Sequence, residues 1–104
     1  AGSGSTTLPA PDLLVGGFGR VMAIECKSLK AGIKYFDEEE IGQLETFART
    51  FGAEPWIAIR FDRQGWWFLP SNDLRKSKNG TASISLDYAQ KKGLRFEDFI
   101  GKSL

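Results

Sequence analysis

The apolar positions change period along this chain, and each change marks an element. Residues 13–15, Leu-Leu-Val, are a short apolar run that breaks into Gly16-Gly17-Phe18-Gly19, which predicts a strand and a turn. Residues 21–26 are apolar on both faces until Glu25, the pattern of a strand central in its sheet. Residues 28–36 hold no sustained period and read as a connecting loop with cationic reach. The spacing then becomes helical: Ile41, Leu44, Phe47, Ala48 and Phe51 fall on one face, which predicts a helix over 38–51. Asp37 and Glu40 suggest a capping box at its start, and Gly52 a stop at its end. Strand character returns at 56–61 and 66–69, joined through Gly65 as a hairpin. Residues 70–79 read as a basic, irregular connection and 81–86 as a further strand. Asp87 is expected to cap a short helix that runs through Lys92 and closes at Gly93, with a last helical turn at 96–100.

This order predicts an α/β domain with a mixed central sheet flanked by helices. A chain of 104 residues supports one core and not two. One domain is expected, with residues 1–11 a flexible Gly/Ser/Pro loop and 12–104 the core.

Composition narrows the chemistry. The chain is 41% hydrophobic and 26% charged, ordinary for a globular domain, and no apolar run approaches the roughly 20 residues of a membrane span. The first residues have neither the basic region nor the apolar stretch of a signal peptide. Cys26 is the sole cysteine, so no internal disulfide forms, and a reducing, cytoplasmic location is expected. Histidine is absent, which excludes His-based triads, His–Cys zinc sites and imidazole bases. Any metal must then be bound by oxygen, which favours Mg2+, with Mn2+ the alternative. Net charge is only +1, yet the first half of the chain is acidic and the second basic. Arg75, Lys76 and Lys78 form one basic group, and Lys91, Lys92 and Arg95 another. That pattern permits a nucleic-acid partner without demanding one.

The candidate chemistry lies at the end of the second strand. Residues two apart on a strand share a face, so Glu25 and Lys27 sit side by side and Cys26 turns away. Asp12 opens the preceding strand. If the strands are neighbours, Asp12 and Glu25 converge on one hard cation, with the Cys26 backbone carbonyl as a third ligand. Lys27 then orients the attacking water and offsets charge developing on phosphate.

Pro11-Asp12, Glu25-Cys26-Lys27, the helix at 41–51, Phe51-Gly52-Ala53-Glu54-Pro55-Trp56-Ile57 and Gly65-Trp66-Trp67-Phe68-Leu69 together resemble the archaeal-type Holliday junction resolvases of the PD-(D/E)xK nuclease superfamily. The resemblance runs from Gly2 to about Leu86, and more loosely to Phe99. It implies a restriction-endonuclease-like core and a metal-dependent endonuclease that nicks two opposing strands of a four-way DNA junction symmetrically, as a homodimer. By the same resemblance Asp12 and Glu25 are metal ligands, Lys27 is the catalytic lysine, and a serine of the Gly/Ser loop assists cleavage, Ser3 first and Ser5 second. Phe47 and Phe51 are implied at the dimer interface. The family's N-terminal helix, with its catalytic glutamate, has no counterpart in these residues. Lys30, Lys34, Arg49, Arg75, Lys76 and Lys78 are candidate phosphate contacts. Neither an organic cofactor nor a membrane is expected. Two alternatives stay open: a related nuclease acting on other DNA substrates, and an inactive junction-binding protein.

Overall fold

Alternation along the strands sorts the apolar side chains onto two faces of one sheet, and those faces organise the molecule. The computed structural model describes residues 10–17 and 19–103. Its larger sheet has the order β1 (Leu13–Gly17), β2 (Arg20–Leu29), β4 (Glu54–Phe61), β5 (Gly65–Pro70). β1 and β2 are antiparallel, β2 and β4 parallel, β4 and β5 antiparallel, so the sheet is mixed, with β2 inside it. On one face, Ala23, Ile57, Ile59, Trp67 and Leu69 meet Ile41, Leu44, Phe47 and Ala48 of helix α1 (Glu38–Phe51). On the other, Met22, Ile24, Trp56, Ala58 and Phe68 meet Phe99 of helix α3 (Phe96–Ser103). The Phe99 ring stacks on Phe68 with centroids 4.5 Å apart and meets Trp56 edge-on at 4.9 Å, a geometry that adds to simple burial. Ile57 and Ile59 are fully buried, and truncating such a residue to alanine costs about 2–5 kcal/mol.

Several expectations give way here. The segment 28–36 is not a loop. β2 extends to Leu29, and β3 (Ile33–Phe36) pairs antiparallel with β7 (Ala82–Ser85), which pairs in turn with β6 (Arg75–Lys76). This second sheet has the order β3-β7-β6. Its inner residues Phe36, Ala82 and Ile84 join the α1-side core. Within 70–79, Ser71–Asp73 is a 3-10 turn and the two residues of β6 are extended.

The caps differ as well. Asp37 stands at the N-cap of α1 but makes no side-chain capping bond, and Glu40 is engaged with Lys27, so no reciprocal box forms. Helix α2 (Leu86–Lys92) starts two residues earlier than expected, and the Ser85 hydroxyl, not Asp87, accepts the Tyr88 N–H at 3.2 Å. Gly52 adopts the left-handed φ of 69° that ends α1, as its spacing predicts. Gly93 ends α2 for another reason: a Cβ there would lie 2.7 Å from the Ala89 carbonyl oxygen. That close approach lets Leu94 exchange backbone hydrogen bonds with Phe68 at 2.8 Å each. The expected last turn is a full helix, α3, which covers the second face of the sheet.

Candidate active site

The site forms where β2 outruns β1. β1 begins at Leu13, opposite Ile24, so Cys26 has no partner residue on that strand. Its N–H instead donates to the Asp12 Oδ2 at 2.8 Å. Asp12 is thereby fixed at the open end of the strand pair by the backbone between Glu25 and Lys27. Since the N–H and C=O of one strand residue point to the same side, the Cys26 carbonyl aims into the same opening.

Glu25 and Lys27 project from the α1 face, in register with Ile57 and Ile59 of β4. Lys27 Nζ lies 3.7 Å from a Glu25 carboxylate oxygen and donates to Glu40 from the first turn of α1. The Lys27 and Glu25 side chains are 21% and 24% exposed, so solvent screens these interactions less than it screens a surface pair. Glu25 and Glu40 line a cleft of about 140 Å³ with Ala10, Pro11, Gln43 and Leu44.

Charge in this cleft is concentrated. Partial burial raises the Glu25 pKa above the usual carboxylate range, and repulsion from Asp12 and Glu40 adds to it against the pull of Lys27. Burial pulls the Lys27 ammonium down, but the hydrogen bond and charge of Glu40, with Glu25 and Asp12, outweigh it and the net shift is upward. Lys27 is therefore a cation and not a base at neutral pH. Burial, Asp12 and Glu25 all raise the Cys26 thiol, and its side chain packs against the α3-side core. A protonated sulfur on the far face is no ligand, so any part Cys26 takes in metal binding belongs to its carbonyl.

Among the described residues no three acidic or cysteine side chains converge tightly enough to form a complete ligand cage. Two carboxylates, a backbone carbonyl and open space nevertheless suit Mg2+, which keeps several waters and takes one or two carboxylates plus phosphate oxygens. Burial and the repulsion from Asp12 and Glu40 that together raise Glu25 are the load that a bound cation relieves.

The remaining predicted residues are scattered. Lys30 lies in the turn after β2, exposed; Lys34 is half-buried on β3. Arg49 is near the far end of α1, nine residues or roughly 14 Å along the helix from Glu40. Arg75, Lys76 and Lys78 are exposed on and beside β6. Phe47 is buried in the core, and its ring centroid lies 4.5 Å from that of Phe51 in a tilted contact; Phe51 is 57% exposed. Of that pair, Phe51 is the one whose side chain is open to a partner. Ser3 and Ser5 fall outside the described residues. Glu40 is the residue that sequence reasoning assigned wrongly, as a cap. Its signal was its place on the same helical stripe as Leu44 and Phe47, where a charge has no reason to be unless something pairs with it.

Known proteins agree with this architecture. The structure superposes on that of Archaeoglobus fulgidus Hjc, described as a Holliday junction resolvase from an archaeal hyperthermophile, with a TM-score of 0.80 and 33% identity, over 91% of this chain and 76% of that one. The fold is thus of the restriction-endonuclease-like class. The family model for the archaeal Holliday junction resolvase (Hjc) matches residues 1–104. Among curated relatives, the crossover junction endodeoxyribonuclease Hjc of A. fulgidus is 33% identical over all of this chain and 81% of its own length. That of Methanocaldococcus jannaschii is 30% identical over 88% of this chain and 66% of its own. The chain belongs to the archaeal Holliday junction resolvase family.

Proposed function

We propose that this chain is a metal-dependent crossover junction endonuclease, which hydrolyses one phosphodiester in each of two opposing strands of a four-way DNA junction and works as a homodimer. The observation that carries the reading is the grouping of Asp12, Glu25 and Lys27 at the open end of β2, in a chain of this family. Asp12 and Glu25 are the ligands for Mg2+, with the Cys26 carbonyl beside them. The bound ion supplies Lewis-acid activation of the phosphoryl group and of water.

The other duties fall to the chain itself. Lys27 holds its ammonium at the edge of the cleft, where it orients the water for in-line attack and stabilises charge developing on the phosphate. Glu40 is a positioning residue: by accepting a hydrogen bond from Lys27, it draws the ammonium away from Glu25 and leaves that carboxylate to the metal. Asp12 is kept in place by the Cys26 N–H. Phe51, an exposed aromatic at the end of α1, is the apolar contact through which a second copy docks.

The test is a denaturing gel of an end-labelled four-way junction with Mg2+, beside a linear duplex and an EDTA control. Paired symmetric nicks in the junction alone, abolished by EDTA, are expected. Cutting of the linear duplex overturns the junction selectivity in favour of a general nuclease. Junction binding without nicks overturns the enzymatic reading.

A further inference from the structure

The outer face of the small sheet sets an exposed aromatic and an exposed guanidinium on either side of a serine. Tyr35 on β3 pairs with Ser83 on β7, and Arg75 on β6 pairs with the same Ser83 from the other side. Directly opposed residues project from the same face, so Tyr35, Ser83 and Arg75 form a row across three strands. Phe36, the next residue on β3, is buried in the core, which turns Tyr35 outward and leaves it 63% exposed. With Ile33, Lys76 and Lys78 the row borders a shallow cleft of about 420 Å³.

Two further observations say what this cleft suits. Among the described residues, the Tyr35 side chain has neither a hydrogen bond nor an aromatic neighbour. Arg75, Lys76 and Lys78 likewise have no carboxylate partner there. A planar aromatic and a planar guanidinium thus stand two strand spacings apart, roughly 10 Å, over a serine that fills little of the gap. A flat ring fits between them, and the cations beside it attract its phosphates.

Position supports the same occupant. Tyr35 precedes Glu40 by two extended residues and one helical turn, at most roughly 12 Å of backbone. That length corresponds to only a few nucleotides of DNA, at about 3.4 Å per stacked step.

We propose that the Tyr35–Ser83–Arg75 row binds one unpaired DNA base close to the branch point, sandwiched between the tyrosine ring and the guanidinium, with Lys78 on a flanking phosphate. The inference rests on the DNA substrate proposed above. Bases inside a duplex stack on each other and have no free face, so the cleft selects strands that are parted or frayed. It is therefore a device for telling a branch from a linear helix by the state of a single base.

The experiment uses four-way junctions with 2-aminopurine placed in turn at each position near the branch, titrated with the full chain in EDTA. Oligothymidylate and blunt duplex serve as comparison ligands. For the wild type, emission changes at one or two positions. Tyr35→Ala removes that change and weakens junction and oligothymidylate binding about ten-fold, while blunt-duplex affinity stays within two-fold. Tyr35→Phe keeps both the signal and the affinity. Wild-type behaviour of Tyr35→Ala overturns the proposal. So does an equal loss on blunt duplex, which marks a backbone contact only, or a drop in sedimentation mass, which marks a surface for a second copy. Nicking of the same junctions in Mg2+ is scored separately, so failure of the endonuclease reading is visible apart from failure of the cleft.

Discussion

The two sheets of this protein handle charge in opposite ways. At the end of β2 each charged side chain is tied to a neighbour, with carboxylates in excess for a cation to balance: Lys27 is shared between Glu25 and Glu40, and Asp12 is held by a backbone N–H. On the small sheet Arg75, Lys76 and Lys78 have no acidic partner among the described residues. The first arrangement is preorganised, with the ordering of its groups completed on folding, as a reacting centre requires. The second leaves its groups to be satisfied by whatever binds. One region is built to act on a phosphate and the other to attract it, so damage to each should show in a different measurement.

The sharpest test of that division is Glu25→Gln. Single-turnover cleavage of a junction should fall about 10³-fold or more, with junction affinity and sedimentation mass little changed. Loss of binding and dimer together would make Glu25 a structural residue. A smaller effect is expected at Glu40→Gln, in the range of 10- to 100-fold on rate, as for outer partners of metal ligands. Without the pull of Glu40, Lys27 settles on Glu25 and competes with the cation. The Mg2+ concentration for half-maximal rate should rise while melting temperature and junction affinity hold. An unchanged metal requirement would show that Glu40 takes no part.

The smallest effect concerns the Arg20–Glu54 pair, where the guanidinium Nε donates to the carboxylate at 2.8 Å. Hydrogen bonding to Arg20 holds the Glu54 pKa below the usual carboxylate range. A carboxyl depressed on folding contributes its stability above the unfolded pKa and loses it as pH falls through the folded one. Wild type should melt slightly above Glu54→Gln at neutral pH, and the gap should close on acidification. A gap that persists at low pH would place the effect in packing and not in charge.

Legibility from sequence followed the range of the interactions. Helix α1 and the β4–β5 hairpin are specified by local periodicity and by turn residues at their ends, and both appear with nearly the expected bounds. Asp12, Glu25 and Lys27 were legible because strand geometry alone puts two of them on one face. β3 was not legible: in four residues, Lys34 sits among inward positions and Tyr35 among outward ones, which inverts the usual pattern, and its partner β7 lies about 50 residues away. Glu40 was misread because a capping box and a tertiary ion pair need the same residue type at the same place. Only the position of Lys27 in space decides between them.

Helix α1 carries one more consequence. Its first turn holds Glu40 against Lys27, and its last turn ends in Phe51, eleven residues and roughly 16 Å further along. If a second copy docks on Phe51, the gap between the two cutting centres is gauged by a rod of fixed pitch and not by a pliable loop. The helix then works as a caliper: the stagger between paired nicks is written in helical rise, and no contact with the bases is needed to set it.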